Sequence, residues 1–256
     1  MIVFLMILGA ALGSFCASLA SRISQKKALF TRRSFCFYCE RKLKFYELIP
    51  IFSYIFLRAK CKTCKHTLPL SLLISEILGM ILLVLAYFLS HNFYEFLFLS
   101  LFLFNLFLLS LIDIRLKAVP QALLWSAFLF AFFYAFKESE ILYFFIFKEF
   151  NEGFLLNAFS FAGFVFLLKS FVFYLTHLKN KNEIFENLGD ADIVIMACMG
   201  GILGFKYSFL TLFLASLISL PFFLKIKGRE LAMLPFLNTA FVAVLFYKNL
   251  GYFYEA

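Results

Sequence analysis

A chain of 256 residues that is 64% hydrophobic, 21% aromatic and only 15% charged, with a mean hydropathy of +0.93, lies outside the range of a water-soluble domain. Its net charge of +9 sits almost entirely in one stretch, Arg22 to Leu68, which holds twelve Lys/Arg against Glu40 and Glu47. Beside membrane spans such a segment fixes topology, because Lys/Arg-rich loops stay in the cytoplasm; membrane lipid is therefore expected as a partner and nucleic acid is not.

In chain order, the first predicted helix covers 2–21. The opening MIVFLMILGAALGSFCASLASR has the apolar run and Ala-rich end of a secretory signal, yet no basic residue precedes the run and positive charge begins only at Arg22. That order favours a retained helix whose N-terminus lies outside, with no cleavage. The basic segment 22–68 follows and contains Cys36, Cys39, Cys61 and Cys64. A cytoplasmic loop is reducing, which disfavours disulfides.

Two CxxC pairs, Cys36-Phe-Tyr-Cys39 and Cys61-Lys-Thr-Cys64, stand twenty-one residues apart. Each pair can supply two thiolates from one tight turn, and together they have the form of a tetrahedral zinc-ribbon-like site. Four protein ligands leave no open position for water, so the zinc is expected to be structural. An iron–sulfur cluster fits less well, since the spacing lacks a ferredoxin-type pattern. Cys16 and Cys198 fall in apolar spans and read as small hydrophobes.

Beyond the loop, apolar runs predict helices at 69–89, 96–113, 119–136, 154–176, 191–206, 208–224 and 231–248, giving an all-α polytopic membrane protein of about eight spans. The chain divides into a first helix (1–21), the basic metal loop (22–68) and a seven-helix membrane region (69–256). With the first helix running inward, Arg115, Lys117, Lys179, Lys181, Lys225, Lys227 and Arg229 fall on cytoplasmic connections. Only Lys137, Lys148 and Lys206 fall on the opposite ones, beside several glutamates, so span count and charge rule agree. Ile141–Phe147 is too short to cross and is expected at the interface.

Two carboxylates stand where spans meet the cytoplasmic side: Asp113, at the end of the third, and Asp190, at the start of the sixth. Ionisable groups at such positions are costly and usually face a cavity or a partner. Brought together, two carboxylates can share a proton, one serving as acid and the other as base toward water. Taken singly, each also suits a helix cap or an interface marker. Asp192, beside Asp190, likewise falls where a helix N-terminus favours negative charge.

Jointly these segments resemble the type IV prepilin peptidases, membrane aspartyl proteases of the GxGD class. The resemblance runs through GSFCASLASRI (Gly13–Ile23), the four-cysteine loop, and YELIPIFSYIFLRAKCKTC, where Glu47, Pro50, Ser53, Tyr54, Leu57 and Arg58 match WxENIPxxSxxxLRGxCxxC. It continues through LPLSLLISEILG with Glu76, IDIRLKAVP with the Asp113-to-Pro120 spacing, and LGDADI. It implies that Asp113 and Asp190 are the catalytic pair, acting at the cytoplasmic face of a bacterial inner membrane. The substrates it implies are prepilins and pseudopilins, cut after a short basic leader. It further implies N-methylation of the new terminus from S-adenosylmethionine, with no donor site assigned.

Four departures accompany the likeness. Asn187 stands at the first Gly of GxGD, Asp192 at the usual Lys, Arg115 at a second acid, and LPFLN (Leu234–Asn238) at PFGP. Asp192 therefore stays open as the second catalytic acid. Gly189 is expected to admit an extended substrate beside the carboxylate, and the small residues after it to permit tight helix packing. Two other functions stay in view: a peptidase without methyl transfer, and a zinc-ribbon adaptor or transporter with ion-path aspartates. Oligomeric state is not legible.

Overall fold

The structure, a computed structural model, describes residues 1–26, 38–39, 41–42, 44, 47, 49–136, 153–179, 189–225 and 231–255. The connections expected at Ile141–Phe147, around Asn187 and at 226–230, and the ligand Cys36, lie outside the described residues.

The described apolar runs are helical, as hydrocarbon demands of segments whose backbone polar groups can find no partner outside themselves. In order the helices are α1 (Ile2–Ser24), the short α2 (Phe52–Phe56), α3 (Leu70–Leu89), α4 (Phe93–Leu116), α5 (Gln121–Ala135), α6 (Phe154–Lys179), α7 (Asp190–Leu203), α8 (Phe205–Lys225) and α9 (Leu234–Glu255). Pro69 and Pro120 stand at the N-caps of α3 and α5, where a missing N–H costs nothing.

Each of the eight expected helices has a counterpart. Five of the described helices are long and apolar enough to span: Ile2–Ser24, Leu70–Leu89, Phe93–Leu116, Phe154–Tyr174 and Phe205–Lys225. The apolar helices Gln121–Ala135 and Leu234–Leu250 are shorter, and α7 has only 14 residues. The helix expected over 191–206 stops at Leu203 because Gly204 turns the backbone to φ +79, and α8 restarts at Phe205. An apolar run reports burial or lipid contact, not the point where the backbone turns.

The chain forms two compact units, Met1–Phe96 and Leu97–Ala256. In the first, α1 packs on α3 at a seam of glycines. A Cβ on Gly79 would meet the carbonyl oxygen of Gly9 and the backbone of Gly13, and one on Gly13 would meet the carbonyl of Ser75. Only glycines let two backbones approach so closely.

In the second unit α7 packs against α5, α6, α8 and α9. Gly200 and Gly201 bring it onto Phe161 and Phe154 of α6, as expected of its small residues. α4 is the most buried candidate span, at 72%, and amides fasten it to its neighbours. Asn105 Nδ2 donates to the Leu123 carbonyl and Ser126 Oγ of α5. Asn238 Nδ2 of α9 donates to the Leu106 carbonyl and Ser110 Oγ. Such bonds are the usual glue between helices whose outer faces are as apolar as lipid. Phe166, Phe171, Phe213 and Phe223 are exposed on those faces.

Candidate functional site

Asp113 lies in the last turn of α4 and is 8% exposed. Its Oδ2 accepts the backbone N–H of Leu234 at 3.3 Å. Leu234 opens α9, so the carboxylate answers one of the four N–H groups that a helix start leaves without an intrahelical partner. Lys117, one turn further on, acts on the same carboxylate through space.

Asp190 and Asp192 both lie in the first turn of α7, with opposite outcomes. The Asp190 side chain is 91% exposed and pairs with Lys169 Nζ of α6 at 2.7 Å. Asp192 turns inward and is buried, where the charges acting on it are those of Asp113 and Lys169. Of the three aspartates, then, Asp113 and Asp192 come within electrostatic reach of each other, while Asp190 faces away into an ion pair.

Local rules explain the split. Gly189 is the N-cap of α7, which makes Asp192 the third helical residue, and its carboxylate reaches back to the Gly189 N–H as in a capping box. Asp190, first in the helix, projects from the other side. Gly189 has an ordinary extended backbone, φ −71 and ψ 147. A Cβ there would lie 3.5 Å from Asp192 Oδ2, ordinary contact, so neither backbone strain nor crowding by the protein demands glycine.

Leu234 and Asn238 escaped the sequence reading, which saw LPFLN only as a departure. The spacing of the two, one helical turn, was the available signal that both meet α4. Two carboxylates so held, one on a donated N–H and one at a helix N-terminus, can divide a proton between them and act as acid and base on water.

In the first unit, the sulfurs of Cys39, Cys61 and Cys64 lie within 4.8 Å of one another, with Cys39 and Cys61 at 4.0 Å. A tetrahedral ion with metal–sulfur bonds of about 2.3 Å separates its sulfurs by about 3.8 Å, so this donor set fits such a metal. A small turn presents the second pair. Cys61 N–H donates to the His66 carbonyl at 2.9 Å, Lys65 N–H to the Cys61 carbonyl at 3.0 Å, and Lys60 bridges Thr67.

Arg41 connects this cluster to a buried acid. It donates to Glu47 at 2.6 Å and also hydrogen-bonds Cys61. Burial alone would push the Glu47 carboxyl up, but the Lys44 N–H and the Arg41 guanidinium outweigh it and hold the group below the usual carboxylate range. Glu76 of α3, 4% exposed, accepts the Ile51 N–H at 2.7 Å and a hydrogen bond from Ser14. It thereby steadies Ile51 at φ +63, a costly conformation for a β-branched residue. Both glutamates are thus occupied in holding the loop.

Comparison with known proteins follows the same two units. Residues 7–90 match the Bacterial Peptidase A24 N-terminal domain, and residues 97–224 match the Type IV leader peptidase family. The chain is 26% identical over 225 residues to the prepilin leader peptidase/N-methyltransferase of Vibrio cholerae serotype O1, covering 84% of this chain and 81% of that protein. Shorter stretches resemble proteins of the same name from Bacillus subtilis, 42% identical over 26% of this chain and 27% of the relative, and Myxococcus xanthus, 39% identical over 24% and 18%. No solved structure matches.

Proposed function

We propose that this chain, which belongs to the type IV leader peptidase family, is a multi-pass membrane aspartic peptidase that removes the basic leader of prepilins and pseudopilins. In this reading it also N-methylates the new terminus, with S-adenosylmethionine as donor. The observation that carries the peptidase is the burial of Asp113 and Asp192, carboxylates from helices far apart in sequence that lie within electrostatic range of each other. The methyl transfer rests on the names of the relatives, and the cytoplasmic placement on the distribution of Lys and Arg.

Asp113 works in this reading with an aspartate at the start of α7: Asp190, which the motif resemblance implies, or its rival Asp192, the buried one. One carboxylate takes a proton from water while the other protonates the scissile carbonyl oxygen. Burial and electrostatic range favour Asp192, and motif position favours Asp190, whose exposed side chain pairs with Lys169. The cysteine site holds a structural zinc through Cys39, Cys61 and Cys64, with Cys36 as the fourth ligand. Closed four-thiolate coordination supplies folding rather than catalysis.

The test is leader cleavage in detergent or liposomes by Asp113→Asn, Asp190→Asn and Asp192→Asn. Asp113→Asn is expected to lose cleavage by about 10³-fold or more, as is whichever of Asp190→Asn and Asp192→Asn removes its partner. Loss in Asp190→Asn with activity kept in Asp192→Asn assigns the role to Asp190, and the reverse assigns it to Asp192; full activity in Asp113→Asn overturns the pair. The mass of the processed N-terminus decides whether a methyl group is added.

A further inference from the structure

The last turn of α7 leaves carbonyls with no intrahelical N–H to bond, and in hydrocarbon water does not supply the partner. Gly204 N–H donates to the Gly200 carbonyl at 2.9 Å. The Ile202 and Leu203 carbonyls are met from another helix, by Lys248 Nζ of α9 at 3.3 and 3.2 Å. The same ammonium lies 5.7 Å from the centre of the Tyr207 ring, within cation–π range, and a cation at a helix C-terminus is favourable.

The other end of α9 holds Asp113, through the Leu234 N–H. One turn on, Asn238 ties α9 to Leu106 and Ser110 of α4. α9 therefore joins α4 near Asp113 to the far end of α7, with hydrogen bonds at both joints. Lys248 stands fourteen residues after Leu234 within α9, and α7 itself has 14 residues. Each length comes to about 21 Å, so a strut anchored at Asp113 grips α7 one helix length beyond its aspartates.

We propose that Lys248 is a positioning residue for the reaction: by fixing α7 on α9 it sets the level at which the first turn of α7 faces Asp113. This rests on the reading that Asp113 works with an aspartate of that turn, and it holds for Asp190 and Asp192 alike.

The other neighbours of α7 act differently. α5 and α6 meet it along its sides, α6 at Phe161 and Phe154, and contacts of that kind govern spacing and crossing angle. Ser208 of α8 donates to the Met199 carbonyl at 3.4 Å, a bond across the turn at Gly204 that reaches only the adjoining helix. Lys169 of α6 pairs with Asp190 at the near end. The Lys248 bonds hold a definite point on the α7 axis and lead back to Asp113.

The experiment measures kcat and KM of leader cleavage by the full-length protein in liposomes, with the unfolding temperature of each preparation. The variants are Lys248→Met, Lys248→Gln, Lys248→Arg and Asp113→Asn beside the parent. Lys248→Met is expected to lower kcat by about tenfold or more while KM stays within about twofold of the parent, as a misplaced acid would. Lys248→Arg, which keeps a cation with several donors, is expected to restore most of the rate. A parental kcat in Lys248→Met would overturn the proposal. So would a deficit that disappears well below the unfolding temperature of the variant, which makes Lys248 a stabilising residue alone. If Lys248→Met does not fold, Lys248→Gln, a shorter neutral donor, carries the test with the same outcomes. Full cleavage by Asp113→Asn removes the acid pair and this inference with it; an inactive Asp113→Asn beside a parental kcat in Lys248→Met removes only the inference.

Discussion

Asn238 shows how one side chain can set a distant carboxylate. Its amide bonds the Leu106 carbonyl and Ser110 Oγ on α4, one turn below the Leu234 N–H that holds Asp113. Asn238→Ala leaves those acceptors to fewer partners, and a cost of about 1–3 kcal/mol is expected, read as lower thermal stability in detergent. Because α9 also loses its register on α4, cleavage should fall with it. Asp113 was legible in the sequence because a carboxylate at a span end is rare. That Asp192 is the buried one of the α7 aspartates was not legible, since motif position favours Asp190 and only the turn of α7 decides which side chain faces inward.

Among the helices, the α1–α3 seam is the most demanding packing described. Gly79 meets only backbone, from Gly9 and Gly13, so a larger residue cannot be absorbed by a side-chain rotation. Gly79→Val is expected to cost about 1–3 kcal/mol and to lower the unfolding temperature. Gly163→Val, where a Cβ meets nothing within 4 Å, should leave it near the parent. Helix number and order were legible because long apolar runs admit little else in lipid. Helix length was not, because the positive φ of Gly204 interrupts a run whose composition does not change.

The two compact units divide the chain where the two family matches also part, between 90 and 97. The thiolate cluster lies in one, and Asp113, Asp190 and Asp192 lie in the other. Metal analysis of the purified protein should find one zinc per chain, and Cys61→Ser should lose it. The doubled CxxC spacing made that site legible; the Arg41 link from Cys61 to Glu47 was not, since nothing in spacing says which loop cation turns inward.

The 14 residues of α7 span about 21 Å against a hydrocarbon thickness of about 30 Å. Lys248 closes its carbonyl end while the other end carries the aspartates. Taken alone, this helix is shorter than the hydrocarbon is thick, a difference of the kind that local bilayer thinning accommodates. Cleavage in liposomes of shorter and longer acyl chains is expected to differ accordingly, the thinner bilayer bringing the aspartates at the start of α7 nearer to water.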